Sequence, residues 1–202
     1  ERPESVTNIE YNAFSYCQGI TKIVIPDSVM RIGIGAFSYC ESLSSIVLPE
    51  SVSSIGEYAF SNCKNLISIN IPKGVPVIEK RVFQDYYSLT SVNIPISVTS
   101  IGESAFSGCE SLMSINIPES VTSIGDWAFY SCSSLSSINI PQNVTLIGTN
   151  AFALTKKLSS IVVENGNVTY ASRNNSNAII ETSSNTLIVG CITTVIPENV
   201  AV

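Results

Sequence analysis

Apolar and polar positions recur along this chain with a step of 23 residues. All seven phenylalanines, Phe14, Phe37, Phe60, Phe83, Phe106, Phe129 and Phe152, keep that step. Prolines share it at Pro3, Pro26, Pro49, Pro72, Pro95, Pro118 and Pro141. Five of the six cysteines, Cys17, Cys40, Cys63, Cys109 and Cys132, lie in the same frame, with Tyr86 and Thr155 in the two slots between and beyond them. Chance does not hold three residue types in phase over seven units, so the repeat governs the fold.

Residues 95–117 show the unit clearly. Val98, Ile101, Ala105, Phe106, Cys109, Leu112, Ile115 and Ile117 form its apolar set. Ile115 and Ile117 alternate with Ser114 and Asn116, the pattern of a short half-buried strand. Val98 to Ile101 predicts a second extended piece, closed by Gly102. Between the two, Ala105, Phe106, Cys109 and Leu112 have near-helical spacing, which predicts one or two turns of α- or 3₁₀-helix. Pro95 ends the preceding strand because it has no N–H to give a ladder. One such unit cannot bury its own apolar face, whereas units stacked in register turn each position into a row and the apolar rows into one core. The expected fold is a β-rich solenoid of stacked parallel short strands, the main ones including Ile46, Ile69, Val92, Ile115, Ile138 and Ile161.

The consensus L-x-x-I-x-I-P-x-x-V-x-x-I-G-x-x-A-F-x-x-C, repeated from residue 3 to 163, resembles the BspA-like or Treponema-type leucine-rich repeat of surface proteins. The resemblance implies a leucine-rich repeat solenoid that is secreted or held at a cell surface. It also implies, as for some members, adhesion to host matrix proteins or to other microbes.

Two stretches depart from the pattern. In residues 72–94, Glu79 stands where the glycine belongs, Val82 for the alanine and Tyr86 for the cysteine, beside Lys73, Lys80, Arg81 and Tyr87. Drift is the simpler reading, with Tyr86 swung outward or filling a local gap; a binding patch is the alternative. After Val163 the frame lapses until Pro197 and Val200 resume it. Residues 1–163 thus form seven regular repeats, 164–196 a longer irregular one, and 197–202 the start of another. Within the irregular repeat, Ala178 to Glu181 and Thr186 to Gly190 flank a Thr-Ser-Ser-Asn turn and predict a β-hairpin. The pattern begins and ends mid-unit, as a fragment of a longer array would, and the segment starts at Glu1 without a basic or apolar leader, so a secretion signal would lie outside it.

Composition narrows the function. No apolar run reaches the roughly 18 residues of a membrane span, so the positive mean hydropathy reflects a dense core, and we expect no membrane insertion by this segment. The net charge is −6, and the 10 basic residues are scattered, which leaves no stripe to neutralise nucleic-acid phosphates. The sequence has no histidine, which removes Ser-His-Asp and Cys-His nucleophiles and histidine zinc sites. Repetition also yields equivalent surface positions and no single converging pocket, so we expect no enzyme and no cofactor.

The cysteine step excludes C-x-x-C redox and zinc spacings. Stacked thiols about 4.8 Å apart run parallel and do not converge as a disulfide requires, so reduced core filler is the expected state. Cys191, outside the frame, is given no partner. Acidic residues follow the prolines at Glu4, Asp27, Glu50, Glu119 and Glu198. Lys73, Ile96 and Gln142 interrupt that row, which favours a solvated face over a calcium ladder. Tyr16, Tyr39, Tyr58, Tyr87, Trp127 and Tyr130 lie off the core rows, near the predicted turns. Sequons at Asn143, Asn167 and Asn174 matter only in a eukaryotic secretory route.

Function falls to the outward rows. Ser68, Ser91, Ser114 and Ser137 precede Asn70, Asn93, Asn116 and Asn139 on the main strands, an almost uncharged face and the expected ligand face. Stacked asparagine amides could also bond one another along the array and serve stability alone. The expected function is a non-enzymatic interaction module at a cell surface or secreted, binding an extracellular protein or glycan. The rival is a stalk that spaces another domain.

Overall fold

A computed structural model of the chain describes residues 6–201, with backbone only at 175. Pro3 and Glu4, which head the proline and acidic rows, lie outside the described residues. The chain is a solenoid in which each 23-residue repeat makes one coil, named here by its phenylalanine from coil 1 (Phe14) to coil 7 (Phe152).

Each coil has a short arm, a turn arc and a main strand. Short-arm strands Asn8–Ile9, Arg31–Ile32 and Ser54–Ile55 pair in parallel. Val77–Ile78, Ser100–Ile101, Ser123–Ile124 and Leu146–Ile147 form a second parallel set. Main strands pair in parallel as Lys22–Val24 with Ser45–Val47 and as Ser137–Ile140 with Ser160–Val163. In the middle coils they shrink to parallel bridges joining Asn70, Asn93 and Asn116.

The core is the set of inward rows expected from the periodicity. Phe37, Phe60, Phe83, Phe106, Phe129 and Phe152 are buried, and Phe14 is half-buried. The phenylalanine rings stack in one column with centroids 5.2 to 5.4 Å apart in five of six steps. Tyr86 is fully buried and meets Phe83 edge-on at 6.1 Å, so it fills a local gap in the cysteine row and does not swing outward. The cysteines are free thiols, as their parallel stacking requires. Cys40, Cys63, Cys109 and Cys132 donate from Sγ to the carbonyls of Phe14, Phe37, Phe83 and Phe106, at 3.0 to 3.3 Å. A small apolar residue with one donor meets both needs of this position.

The segment around each phenylalanine curls as expected, but as a succession of turns. In coil 5, Ala105, Ser107, Cys109 and Leu112 donate N–H to the carbonyl three residues earlier. Ser104, Phe106 and Gly108 instead donate forward, to Asp126, Ala128 and Tyr130 of the next coil. This alternation places left-handed residues two before and two after each phenylalanine, such as Ser104 (φ 53°) and Gly108 (φ 75°). A 3₁₀ turn occurs at Arg173–Asn175.

Coils 3 and 4 meet imperfectly. In the regular short arm Thr99 donates to Pro76 and Thr122 to Thr99, but Pro76 itself has no N–H to offer Ser53. Gly102 sits so close to coil 4 that an added Cβ would lie 2.9 Å from the backbone of Glu79. Glu79 carries such a Cβ in its own coil, and the Phe60–Phe83 step widens to 6.1 Å.

Residues after coil 7 cover its end. Ile147 donates its N–H to Tyr170 Oη at 3.0 Å, where a further strand would otherwise accept. Val163 donates its N–H to Ser172 Oγ at 3.2 Å, and that hydroxyl donates to the Ala178 carbonyl at 2.7 Å. Ala178–Glu181 pairs antiparallel with Thr186–Gly190 and with Tyr170–Ala171, and Ile179 joins the solenoid core.

Candidate interaction face

Alternation along the main strands sends Ser68, Asn70, Ser91, Asn93, Ser114, Asn116, Ser137 and Asn139 outward, and all of them are exposed. Burial of Ile69, Val92, Ile115 and Ile138 between them fixes this register, since a slip of one residue would turn every apolar side chain to solvent. At either end of the face the asparagine row gives way to valine, with Val24 and Val47 before it and Val162 after it, all exposed.

The four asparagines do not bond one another as a ladder. Asn70 turns to coil 2, donating from Nδ2 to the Leu48 carbonyl at 2.7 Å and accepting the Leu48 N–H at 3.0 Å. Asn139 donates to Glu164 Oε1. A hydrogen bond between Glu164 and Glu119 raises the Glu119 carboxyl above its usual range and lowers that of Glu164. The side-chain amides of Asn93 and Asn116 have no protein partner among the described residues, which leaves donors and acceptors facing solvent.

Those two amides flank a groove of about 870 Å³, large enough for a small ligand or a protruding partner side chain. Asn70, Asn93 and Asn116 line it together with Glu50, Lys73 and Ile96. Ile96 is 86% exposed, an apolar knob among hydrogen-bonding groups. Lys73 donates its backbone N–H to Glu50 Oε2 at 3.1 Å. The sequence marked Ile96 only as a break in the acidic row, and Lys73 both as such a break and as a member of the departing repeat 72–94; in the structure both line the groove. Among the described residues there is no group of three or more histidine, cysteine or acidic side chains able to hold a metal. The serines of this face lack a histidine base, since the sequence contains none. What the face offers is hydrogen bonding around an exposed aliphatic side chain.

Other functional candidates are taken up by the structure. Asn167 donates from Nδ2 to the carbonyls of Pro141 and Val144 and accepts two backbone N–H groups, so its amide is committed internally. Lys80 and Arg81 pair with Glu103 at 2.6 and 3.3 Å, which leaves no cationic patch in coil 4.

Parallel stacking, buried leucine and phenylalanine rows and an exposed strand face define a leucine-rich repeat solenoid, a scaffold for protein interaction. The chain belongs to the BspA type leucine rich repeat family, whose model matches residues 1–98 and 76–200 in 6 copies. It is similar to a leucine rich cell surface protein from Faecalibacterium prausnitzii, with 35% identity and a TM-score of 0.79 over 91% of this chain and 49% of that one. It is similar to the leucine rich repeat protein TpLRR of T. pallidum, with 30% identity and a TM-score of 0.70 over 76% and 72% of the two chains. The pneumococcal vaccine antigen PcpA is similar too, at 29% identity and a TM-score of 0.71 over 91% and 49%. The chain thus spans about half the length of the Faecalibacterium protein. No match is found among curated proteins. No helix among the described residues is long and apolar enough to cross a membrane.

Proposed function

We propose that the chain is a non-enzymatic interaction module displayed at a cell surface, and that Asn93, Asn116 and Ile96 form the centre of its contact with an extracellular protein. The observation that carries this reading is the pair of unpartnered amides beside the exposed Ile96. Interfaces that hold a protein commonly place an apolar centre within a polar, hydrogen-bonding rim. Short side chains fixed on stacked coils lose little freedom on association, which lowers the cost of binding. Similarity to the leucine rich cell surface protein of Faecalibacterium prausnitzii supports the location. Ser68, Ser91, Ser114 and Ser137, with Asn70 and Asn139, extend the same surface in this proposal.

The test is the double variant Asn93→Lys with Asn116→Lys, checked for an unchanged melting temperature. Binding of parent and variant to purified extracellular-matrix proteins is then compared by surface plasmon resonance. We expect at least tenfold weaker binding by the variant, and a parent affinity that changes little with salt because the face carries few charges. Equal binding by the variant would move the contact to another face. A parent chain that binds none of the proteins would favour the role of a spacer.

A further inference from the structure

The turn arcs of coils 1 to 4 form a second groove, of about 460 Å³, away from the asparagine row. Its walls come from the two left-handed rows of the arc. Two positions before the phenylalanine stand Asn12, Gly35, Tyr58 and Arg81; two positions after it stand Tyr16, Tyr39, Asn62 and Asp85. L-residues adopt positive φ at a steric cost, and glycine, asparagine and aspartate carry that cost best. Asn12, Gly35, Asn62 and Asp85 follow this rule, whereas Tyr16 (φ 59°), Tyr39 (φ 58°), Tyr58 (φ 58°) and Arg81 (φ 55°) do not. Backbone preference does not explain these large side chains, and none of them is part of the buried core.

Their arrangement does. Tyr16 and Tyr39 stack with centroids 4.6 Å apart and planes within 3°, and remain 64% and 37% exposed. Gly35 makes room for the Asn12 carboxamide in this wall, since an added Cβ would stand 2.2 Å from Asn12 Oδ1. Across the groove the Arg81 guanidinium lies 5.6 Å from the centre of the Tyr58 ring and donates to Tyr58 Oη at 3.2 Å. Arg81 is paired with Glu103, and Asp85 also lines the groove, so it carries little net charge.

We propose that this groove is a binding site for an uncharged oligosaccharide. A pyranose ring presents an apolar C–H face and an edge of hydroxyl groups. The Tyr16–Tyr39 pair, through the ring surface its stacking leaves exposed, receives the first. Planar polar side chains that donate and accept in a fixed plane, here Asn12, Asn62, Arg81 and Asp85, receive the second. A polyanion is disfavoured by the near-neutral lining. This site is separate from the asparagine face, and its failure would leave that proposal standing.

The experiment probes the purified chain with a printed array of neutral oligosaccharides of glucose, galactose and N-acetylhexosamine, alongside sulfated and sialylated ones. Any hit is followed by titration in solution. Neutral oligosaccharides should bind, and Tyr16→Ala with Tyr39→Ala should weaken the best of them at least tenfold. Tyr16→Phe with Tyr39→Phe should retain most of the binding, because the rings remain. Trp127→Ala, in coil 6 on the same arc, and Asn93→Lys with Asn116→Lys should change nothing. Thermal melting of each variant separates lost binding from lost folding; if the double alanine variant is unfolded, Tyr16→Ser alone carries the test. Absence of any neutral hit, capture of only acidic sugars, or undiminished binding by the folded tyrosine variants would overturn the proposal.

Discussion

The carboxamide of Asn70 does for Leu48 what a neighbouring strand would do, holding its N–H and its carbonyl together at 3.0 and 2.7 Å. The main-strand ladder is interrupted at this point, between Ser45–Val47 and the Asn70 bridge, and one side chain spans the interruption. Asn70 and Asn93 occupy equivalent positions of successive repeats yet serve different ends. Asn70→Ala should lower stability by about 1–2 kcal/mol, because it leaves two backbone groups without partners. Asn93→Ala should fall within about 0.5 kcal/mol of the parent, as exposed substitutions do. Urea denaturation of the two variants checks this; equal losses would show that the amides of the face share one structural role.

The column of phenylalanine rings makes a second prediction. Phe106 is fully buried between rings 5.3 and 5.4 Å away, in a region where both neighbouring steps are regular. Phe106→Ala should cost about 3–5 kcal/mol, since stacked coils cannot collapse into the gap. Phe83→Ala should cost less, because its Phe60 side is already spread to 6.1 Å. Equal losses measured by equilibrium unfolding would show that the wider step is packed as well as the others.

The rows of the core were legible in the sequence because burial repeats with the coil: Phe106, Cys109, Leu112 and Ile115 each stand for a column. The turn arc was only half legible. A spacing of three to four residues suits a helix and a chain of tight turns alike, and the choice depends on Ser104, Phe106 and Gly108 donating to the next coil. Such bonds are not local, so no window of sequence contains them. The same holds for the face. Its eight outward residues follow from alternation, but the clasp of Asn70 on Leu48 and the entry of Ile96 into the groove depend on how adjacent coils lie. The tyrosines were visible as residues off the core rows; their two left-handed rows were not.

At the junction of coils 3 and 4 the short arms Ser54–Ile55 and Val77–Ile78 do not pair, and two of the absent bonds have a visible cause or consequence. Pro76 cannot donate to Ser53, and the Glu79 N–H finds no backbone acceptor, whereas Gly102 donates to Ile78 at 2.8 Å. In a linear array local openings concentrate where the nearest-neighbour interface is weakest. The Glu79 amide should therefore exchange with solvent at least tenfold faster than that of Gly102. Pro76→Thr with Glu79→Gly should restore protection there. Global stability should shift by less than about 1 kcal/mol, because two hydrogen bonds at about 1 kcal/mol each are offset by lost proline rigidity and added glycine freedom. Hydrogen exchange read by mass spectrometry decides the matter, and equal protection of Glu79 and Gly102 in the parent would refute the weak junction.

Buried thiols make the final prediction, on pH. Burial pushes the Cys132 thiol from 9.0 up to about 12. Burial likewise raises Cys40, Cys63, Cys109 and the Tyr86 phenol. In the unfolded chain these thiols ionise near pH 9.0, whereas in the folded chain they stay protonated. Between those values the unfolded state binds fewer protons, so stability falls as pH rises. The thiol contribution is fully present below about pH 9 and is lost as pH climbs through about 12 for Cys132. Melting temperatures should thus hold steady from pH 7 to 8.5 and drop progressively above pH 9. Cys132→Ala, which cannot ionise, should flatten that slope although it is less stable at neutral pH through the lost Sγ bond to Phe106. Native-state thiol labelling should touch Cys63, Cys109 and Cys132 only as fast as the protein unfolds, because thiol and carbonyl are sealed together in the core. A stability profile flat to pH 11, or prompt labelling of these three, would show the row to be open to solvent.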